Sequence, residues 1–225
     1  MIEFLGTLLD NAPNWLDRLR PALFMTLVVT AASFVAASLL AIGLELARQS
    51  RYKAARWATR GLIDVVRCVP ILTILYLLYF GLPGVGITLS SFVAGTAGLA
   101  LVYSTYIAEV LRGGVSAIHP GQREAAIAAG LTPLMTFRYI VLPQALRVMA
   151  APLLVTFISL LKDSSICALI AVNELMLTSK VIMSETFMPL HLFILVGAIY
   201  FAIAWPMSLV ARWIERHLAR TARAA

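Results

Sequence analysis

Charged side chains are scarce in this sequence, and the few set inside its apolar stretches are the ones able to do chemistry. Lys162-Asp163-Ser164-Ser165 closes an apolar run with a cation, an anion and two hydroxyls. Asp64 and Arg67 stand one helical turn apart near the start of another run, as do Glu109 and Arg112 near the end of a third. Ionisable groups in such surroundings are costly, so they are functional suspects, although an (i, i+3) pair can serve structure alone. Catalysis finds little support. His119, His191 and His217 are scattered, with no carboxylate at ligand spacing. Cys68 and Cys167 sit in apolar stretches without a metal-like partner and read as small core residues. No nucleophile–base set lies within the apolar runs. No Gly-x4-Gly-Lys-Ser/Thr phosphate loop is present, and the only lysines are Lys53, Lys162 and Lys180. The residues point to binding and passage rather than to bond chemistry, with no metal or cofactor expected.

The elements that must position them follow from composition. Of 225 residues, 61% are hydrophobic and 13% charged, against about 25% charged in soluble domains. Too much apolar surface would remain for water at this size, so the bilayer is the expected solvent. Pro21 to Leu44 holds no charge, and the first span is expected at about 21–47. Cys68 to Ala108 is uncharged but too long for one crossing, and Gly81-Leu82-Pro83-Gly84-Val85-Gly86 breaks it. Spans are therefore expected at about 59–80 and 89–111, followed by 142–163 and 189–213. Backbone in lipid must satisfy itself, and no alternating ten-residue segments suggest a barrel, so all five are helices. Glu3, Asp10 and Asp17 occupy the first twenty residues with no basic start, which argues against a cleavable leader.

Basic residues set orientation. Arg48, Arg51, Lys53, Arg56 and Arg60 fall in the first loop, Arg112, Arg123, Arg138 and Arg147 in the segment 112–147, and Arg212, Arg216, Arg220 and Arg223 in the tail. The opposite side holds Arg18, Arg20, Lys162 and Lys180. The first loop, the 112–147 segment and the C-terminus are expected in the cytoplasm and the N-terminus outside. The net charge of +7 then belongs to the membrane rather than to a nucleic acid partner.

The segment 112–142 is too ordered in composition for a linker. Pro120 suits a helix start, Glu124 falls in or near the first turn, and a run of alanines favours helix. Gly130 is a natural stop, and Thr132-Pro133 reads as a cap and first residue of a second short helix over about 133–140, with Pro143 marking entry to the next span. Alanines allow close approach of another backbone, which fits a docking element. A connector lying on the membrane surface fits equally well.

Glu124-Ala125-Ala126, Gly130, Ile140 and Leu142-Pro143, at these spacings, resemble the EAA motif of ABC importer membrane subunits. The polar amino acid branch, which imports histidine, glutamine, arginine and cystine, is resembled by Ala108-Glu109-Val110-Leu111-Arg112-Gly113-Gly114-Val115, Ile118-His119-Pro120-Gly121-Gln122, Leu161-Lys162-Asp163-Ser164-Ser165 and Asn173-Glu174-Leu175. The resemblance runs from about Thr26 to Arg216. One departure is Arg67-Cys68-Val69-Pro70, where the family often has Arg-Gly-Thr-Pro.

The resemblance implies a single permease domain over 1–225, an all-α integral membrane protein of type I ABC importer (MetI-like) fold in the bacterial inner membrane. It implies that 120–140 is a coupling segment, with Glu124, Ala125, Ala126, Gly130, Leu142 and Pro143 engaging a cytoplasmic ABC ATPase dimer. A second permease subunit and a periplasmic or extracellular amino-acid-binding protein are the other implied partners. Lys162 and Asp163, near the outer side, would hold the carboxylate and amino groups of an amino acid, with Ser164 and Ser165 supplying hydroxyls, and Asp64 and Arg67 would belong to the same pathway. ATP would be hydrolysed by the partner chain, so this chain is expected not to be an enzyme. The alternative is a self-contained secondary carrier or channel, against which no inverted repeat is found.

Overall fold

Apolar helices that must close their own hydrogen bonds leave few architectures open, and the computed structural model has one of them: a helical bundle with a lateral hairpin. It describes the backbone of residues 2–223 and the side chains of 6–218. The side chains of Glu3, Arg220 and Arg223 lie outside the described residues. Among the described residues nine α-helices run in order: α1 (Ile2–Arg48), α2 (Lys53–Cys68), α3 (Ile71–Tyr76), α4 (Ser91–Ser116), α5 (Pro120–Ala128), α6 (Pro133–Met135), α7 (Leu142–Asp163), α8 (Leu175–Thr186) and α9 (Pro189–Arg223). Among the described residues four helical stretches are long and apolar enough to cross a membrane, or five if the bent pair around Val69 is one span.

The expected second span is not one helix. α2 ends at Cys68, Val69 is extended, and the following stretch to Val85 turns away by 103°. Pro70 causes this. It has no N–H to give, and its ring drives the preceding residue out of helical conformation. Beyond α3 the chain tightens through a π turn (Leu77–Gly81) and a 3-10 turn (Leu82–Val85), then reverses at Gly86 with φ of +85°. The glycine-rich stop read from the sequence falls here.

The expected break before the fourth span is also absent. From Pro133 the helix runs without interruption into α7, through a π segment, Thr136–Val141. The Leu142 N–H reaches back to the Phe137 carbonyl, a five-residue register. Pro143 offers no N–H for the ordinary register, and the wider turn absorbs the missing bond without a break. Past α7, a 3-10 stretch (Ser164–Ile170) and α8 follow, neither of them expected from the hydropathy pattern.

α4 stands at the centre against α1, and its small residues let neighbours close in. A Cβ on Gly98 would lie 2.6 Å from Cδ2 of the fully buried Leu75 on α3, and one on Gly114 would run into Met149 of α7. Gly95 faces Cys167 and Val172. At one end of the bundle Arg48 of α1 donates to Glu109 of α4 at 2.6 Å, and the Arg112 Nε donates to the other oxygen at 2.8 Å. Glu109 and Arg112 are thus structural. At the other end Arg18 of α1 pairs with Glu185 of α8. Hydrogen bonding from Arg18 holds the Glu185 carboxyl below the usual range.

Gly98→Ala should cost about 1–3 kcal/mol by overpacking against Leu75. Thermal unfolding of the detergent-solubilised protein measures this, and Leu75→Val in the same chain should recover part of the loss. A silent Gly98→Ala would mean that α3 and α4 are not this close.

Candidate functional site

Two regions gather the residues singled out from the sequence. The first is the hairpin of α5 and α6. His119 starts it by capping, its Nδ1 accepting the Gly121 N–H at 3.1 Å. The helix ends in paired bonds, Leu131 N–H to Ala126 O at 3.1 Å and Gly130 N–H to Ile127 O at 2.9 Å. That pairing needs a left-handed residue, and Gly130 has φ of +84°. Thr132 then caps the next helix, its Oγ1 accepting the Met135 N–H at 3.3 Å, with Pro133 first in line. The stop, cap and first residue expected from the sequence are therefore present.

Only Ala126 of this turn is buried; Glu124, Ala125 and Gly130 face outward. Glu124 makes no ion pair among the described residues. Ile127 is 57% exposed and Leu134 75%, and Met135, Phe137 and Tyr139 are exposed with them. Leu142 is half-buried and Pro143 exposed, on the continuous helix that leads into the bundle.

The second region is a cavity of about 550 Å³ between α2, α4 and α7, within the size range of small-ligand sites. Arg67, Cys68, Tyr103, Tyr106, Ser159 and Asp163 are among its lining residues. Tyr103, at the midpoint of α4, donates its hydroxyl to Asp163 at 2.7 Å. The Arg67 guanidinium lies 4.9 Å from the Tyr106 ring centre. One carboxylate and one guanidinium thus share one cavity.

Several expectations need correction here. Asp163 does not lie at an outer end; it meets the middle of α4, because the helical stretch begins nine residues earlier than expected, at Pro133, and runs on to Ile170. Lys162 and Asp163 do not face one ligand. Successive residues on a helix diverge by about 100°, and Lys162 lines an adjoining cavity of about 220 Å³ with Ser208, Arg212 and Glu215. The Ser164 and Ser165 hydroxyls donate back to the carbonyls of Leu161 and Lys162, at 2.8 and 2.7 Å, and Ser164 is fully buried. Asp64 and Arg67 do not pair: Asp64 is exposed on α2 while Arg67 turns to Tyr106.

Tyr103, Tyr106 and Ser159 were missed in the sequence, since nothing in their spacing sets them apart from helix packing. Tyr76 and Tyr79 each contact Phe80 edge-on, at 5.4 and 4.8 Å between ring centres. Trp15 is buried among α8 and α9 residues, whereas Trp57, Trp205 and Trp213 are exposed. A second buried carboxylate was also unforeseen. Glu174 caps α8, accepting the Leu177 N–H at 2.8 Å and the Tyr200 hydroxyl at 3.2 Å, while Thr26 of α1 accepts the Leu175 N–H at 3.0 Å. Its signal was the Asn173-Glu174-Leu175 triplet, and its role is to tie α1, α8 and α9 together.

A multi-pass helical bundle with an open cavity holding both charge signs, and an uncovered hairpin at one end, is the layout of a membrane transport subunit. Residues 34–224 match the family model described as "Binding-protein-dependent transport system inner membrane component", and the chain belongs to that family. It is 31% identical over 214 residues to a probable glutamine ABC transporter permease protein, GlnM, of Bacillus subtilis (strain 168), covering 95% of this chain and 97% of that one. It is 33% identical over 199 residues to the L-cystine transport system permease protein TcyB of the same organism, covering 88% and 85%. Among solved structures it superposes on one described as an amino acid ABC transporter with histidines, at TM-score 0.85, 32% identity and coverage of 95% and 98%. The MetNI methionine ABC transporter, at TM-score 0.64 and 18% identity, shares the fold. The chain is a multi-pass permease with the MetI-like fold expected from the sequence.

The cavity implies unequal thiols. Cys68 is exposed on its wall, while Cys167 is 0% exposed. A small charged methanethiosulfonate should modify one thiol per chain, and Cys68→Ser should abolish the labelling. Equal reaction at Cys167 would mean that the bundle is not closed as described.

Proposed function

We propose that this chain is the membrane-spanning subunit of an ATP-driven importer that carries a polar amino acid into the cytoplasm. A separate ATPase dimer hydrolyses ATP and grips the α5–α6 hairpin. A second permease subunit, identical or related, completes the path, and a binding protein outside the cell delivers the substrate. The hairpin carries the reading: it exposes Ile127, Leu134 and Phe137 beside an unpaired Glu124, a surface that a lone chain would not leave uncovered. The names of the relatives, which concern glutamine and cystine, support the substrate class and weigh against a self-contained carrier.

In this reading the helix from Pro133 to Asp163 is a rigid lever. Movement of the hairpin is carried along one uninterrupted helix to Asp163 at the cavity wall. A zwitterion fits the cavity with its carboxylate at Arg67 and its ammonium at Asp163; Lys162 faces elsewhere and takes no part. The N-terminus lies outside and the hairpin, the first loop and the C-terminus inside, in line with the distribution of arginine.

Gly130→Val should uncouple the transporter, because a β-branched residue resists positive φ and the turn between the helices would open. The readout is substrate-stimulated ATPase activity of the reconstituted complex, expected to fall to its basal level while membrane insertion persists. Glu124→Ala should weaken the stimulation only in part. Undiminished coupling in Gly130→Val would remove the hairpin from the mechanism. Labelling of a cysteine placed at 127 by an impermeant reagent applied outside intact cells would reverse the orientation.

A further inference from the structure

α2 is built for three surroundings at once. Thr59, Ile63 and Val66 are buried against the bundle. At 100° per residue, Lys53, Arg56, Arg60 and Arg67 fall on one adjoining stripe with Asp64, and Ala54, Trp57, Ala58, Gly61 and Val65 on the remaining face. That apolar face is uncovered, with Trp57 71% exposed and Val65 62%. Lys53, Arg56 and Arg60 make no ion pair among the described residues. Five charged residues, Lys53, Arg56, Arg60, Asp64 and Arg67, make α2 costly to place in the hydrocarbon core, and the 103° bend that follows it frees α2 from the direction of the next stretch.

We propose that α2 is an interfacial anchor for anionic phospholipid of the cytoplasmic leaflet. Trp57 and Val65 enter the acyl region, and Lys53, Arg56 and Arg60 bind headgroup phosphates. Charge selects the occupant: a stripe of unpaired cations beside an aromatic and aliphatic face complements an anionic lipid, whose phosphate and chains are arranged in that order. The last turn of α2 carries Arg67 and Cys68 into the cavity wall, so the lipid also steadies the guanidinium side of the site.

The intact transporter, with its ATPase, tests this in vesicles of phosphatidylcholine and phosphatidylglycerol mixed equally in both leaflets, so that the result does not depend on orientation or on the substrate. Trp57→benzoylphenylalanine should photocrosslink to lipid. An adduct with a second permease chain or the ATPase, or no lipid adduct, overturns the proposal. Native mass spectrometry of the purified complex then counts retained phosphatidylglycerol. Each basic residue near an anionic surface is worth roughly fivefold, so K53Q/R56Q/R60Q should weaken retention on the order of a hundredfold. Retention equal to wild type in an assembled complex overturns the proposal. Should that variant fail to assemble with the ATPase, the crosslink decides alone.

Discussion

At two places that shape this chain, Pro70 and Pro143, a proline removes a backbone donor and the helix must answer for it. In an apolar solvent an open carbonyl is expensive, so the chain can only bend where the geometry offers a substitute. At Pro70 the substitute is a clean break with extended backbone at Val69; at Pro143 it is a wider π turn that keeps the helix whole. The same chemical defect thus yields a hinge in one place and an unbroken lever in the other. The difference lies in the neighbours. Val69 precedes its proline at the end of an amphipathic helix, where a change of direction leaves few bonds open. Pro143 sits where Leu142 can bond one residue further back.

These two solutions place the functional parts. The break turns α2 across the bundle and brings Arg67 to the same cavity as Asp163. The unbroken helix joins that cavity to the exposed hairpin. Between them α4 acts as a fixed post, its glycines admitting α3 and α7 and its Glu109 held by arginines from two directions. An unbroken helix beside a fixed post suits the proposed role, in which force applied at one end alters the cavity at the other.

The cavity also accounts for where charge is tolerated. Asp163 keeps one hydrogen bond from Tyr103 and one open side toward the cavity, so it is neither fully paired nor stranded in hydrocarbon. Glu174 shows the opposite treatment: full enclosure, with donors from α8 and α9 meeting its carboxylate and Thr26 of α1 bonded alongside. The first arrangement leaves binding capacity over, and the second spends it on joining helices.

The sequence by itself determined the solvent, the helical class, and the hairpin down to its Thr132 cap and the left-handed Gly130, because hydropathy runs and caps are local properties. It also carried the EAA spacing that marked the family. Only the tertiary structure decided which charges meet. Lys162 and Asp163 are neighbours in the chain yet face different cavities, while Arg67, nearly a hundred residues away, shares one with Asp163. The periodicity of a helix separates adjacent residues and the crossing of helices joins distant ones. A cavity lined from three helices therefore stays hidden until their packing is known.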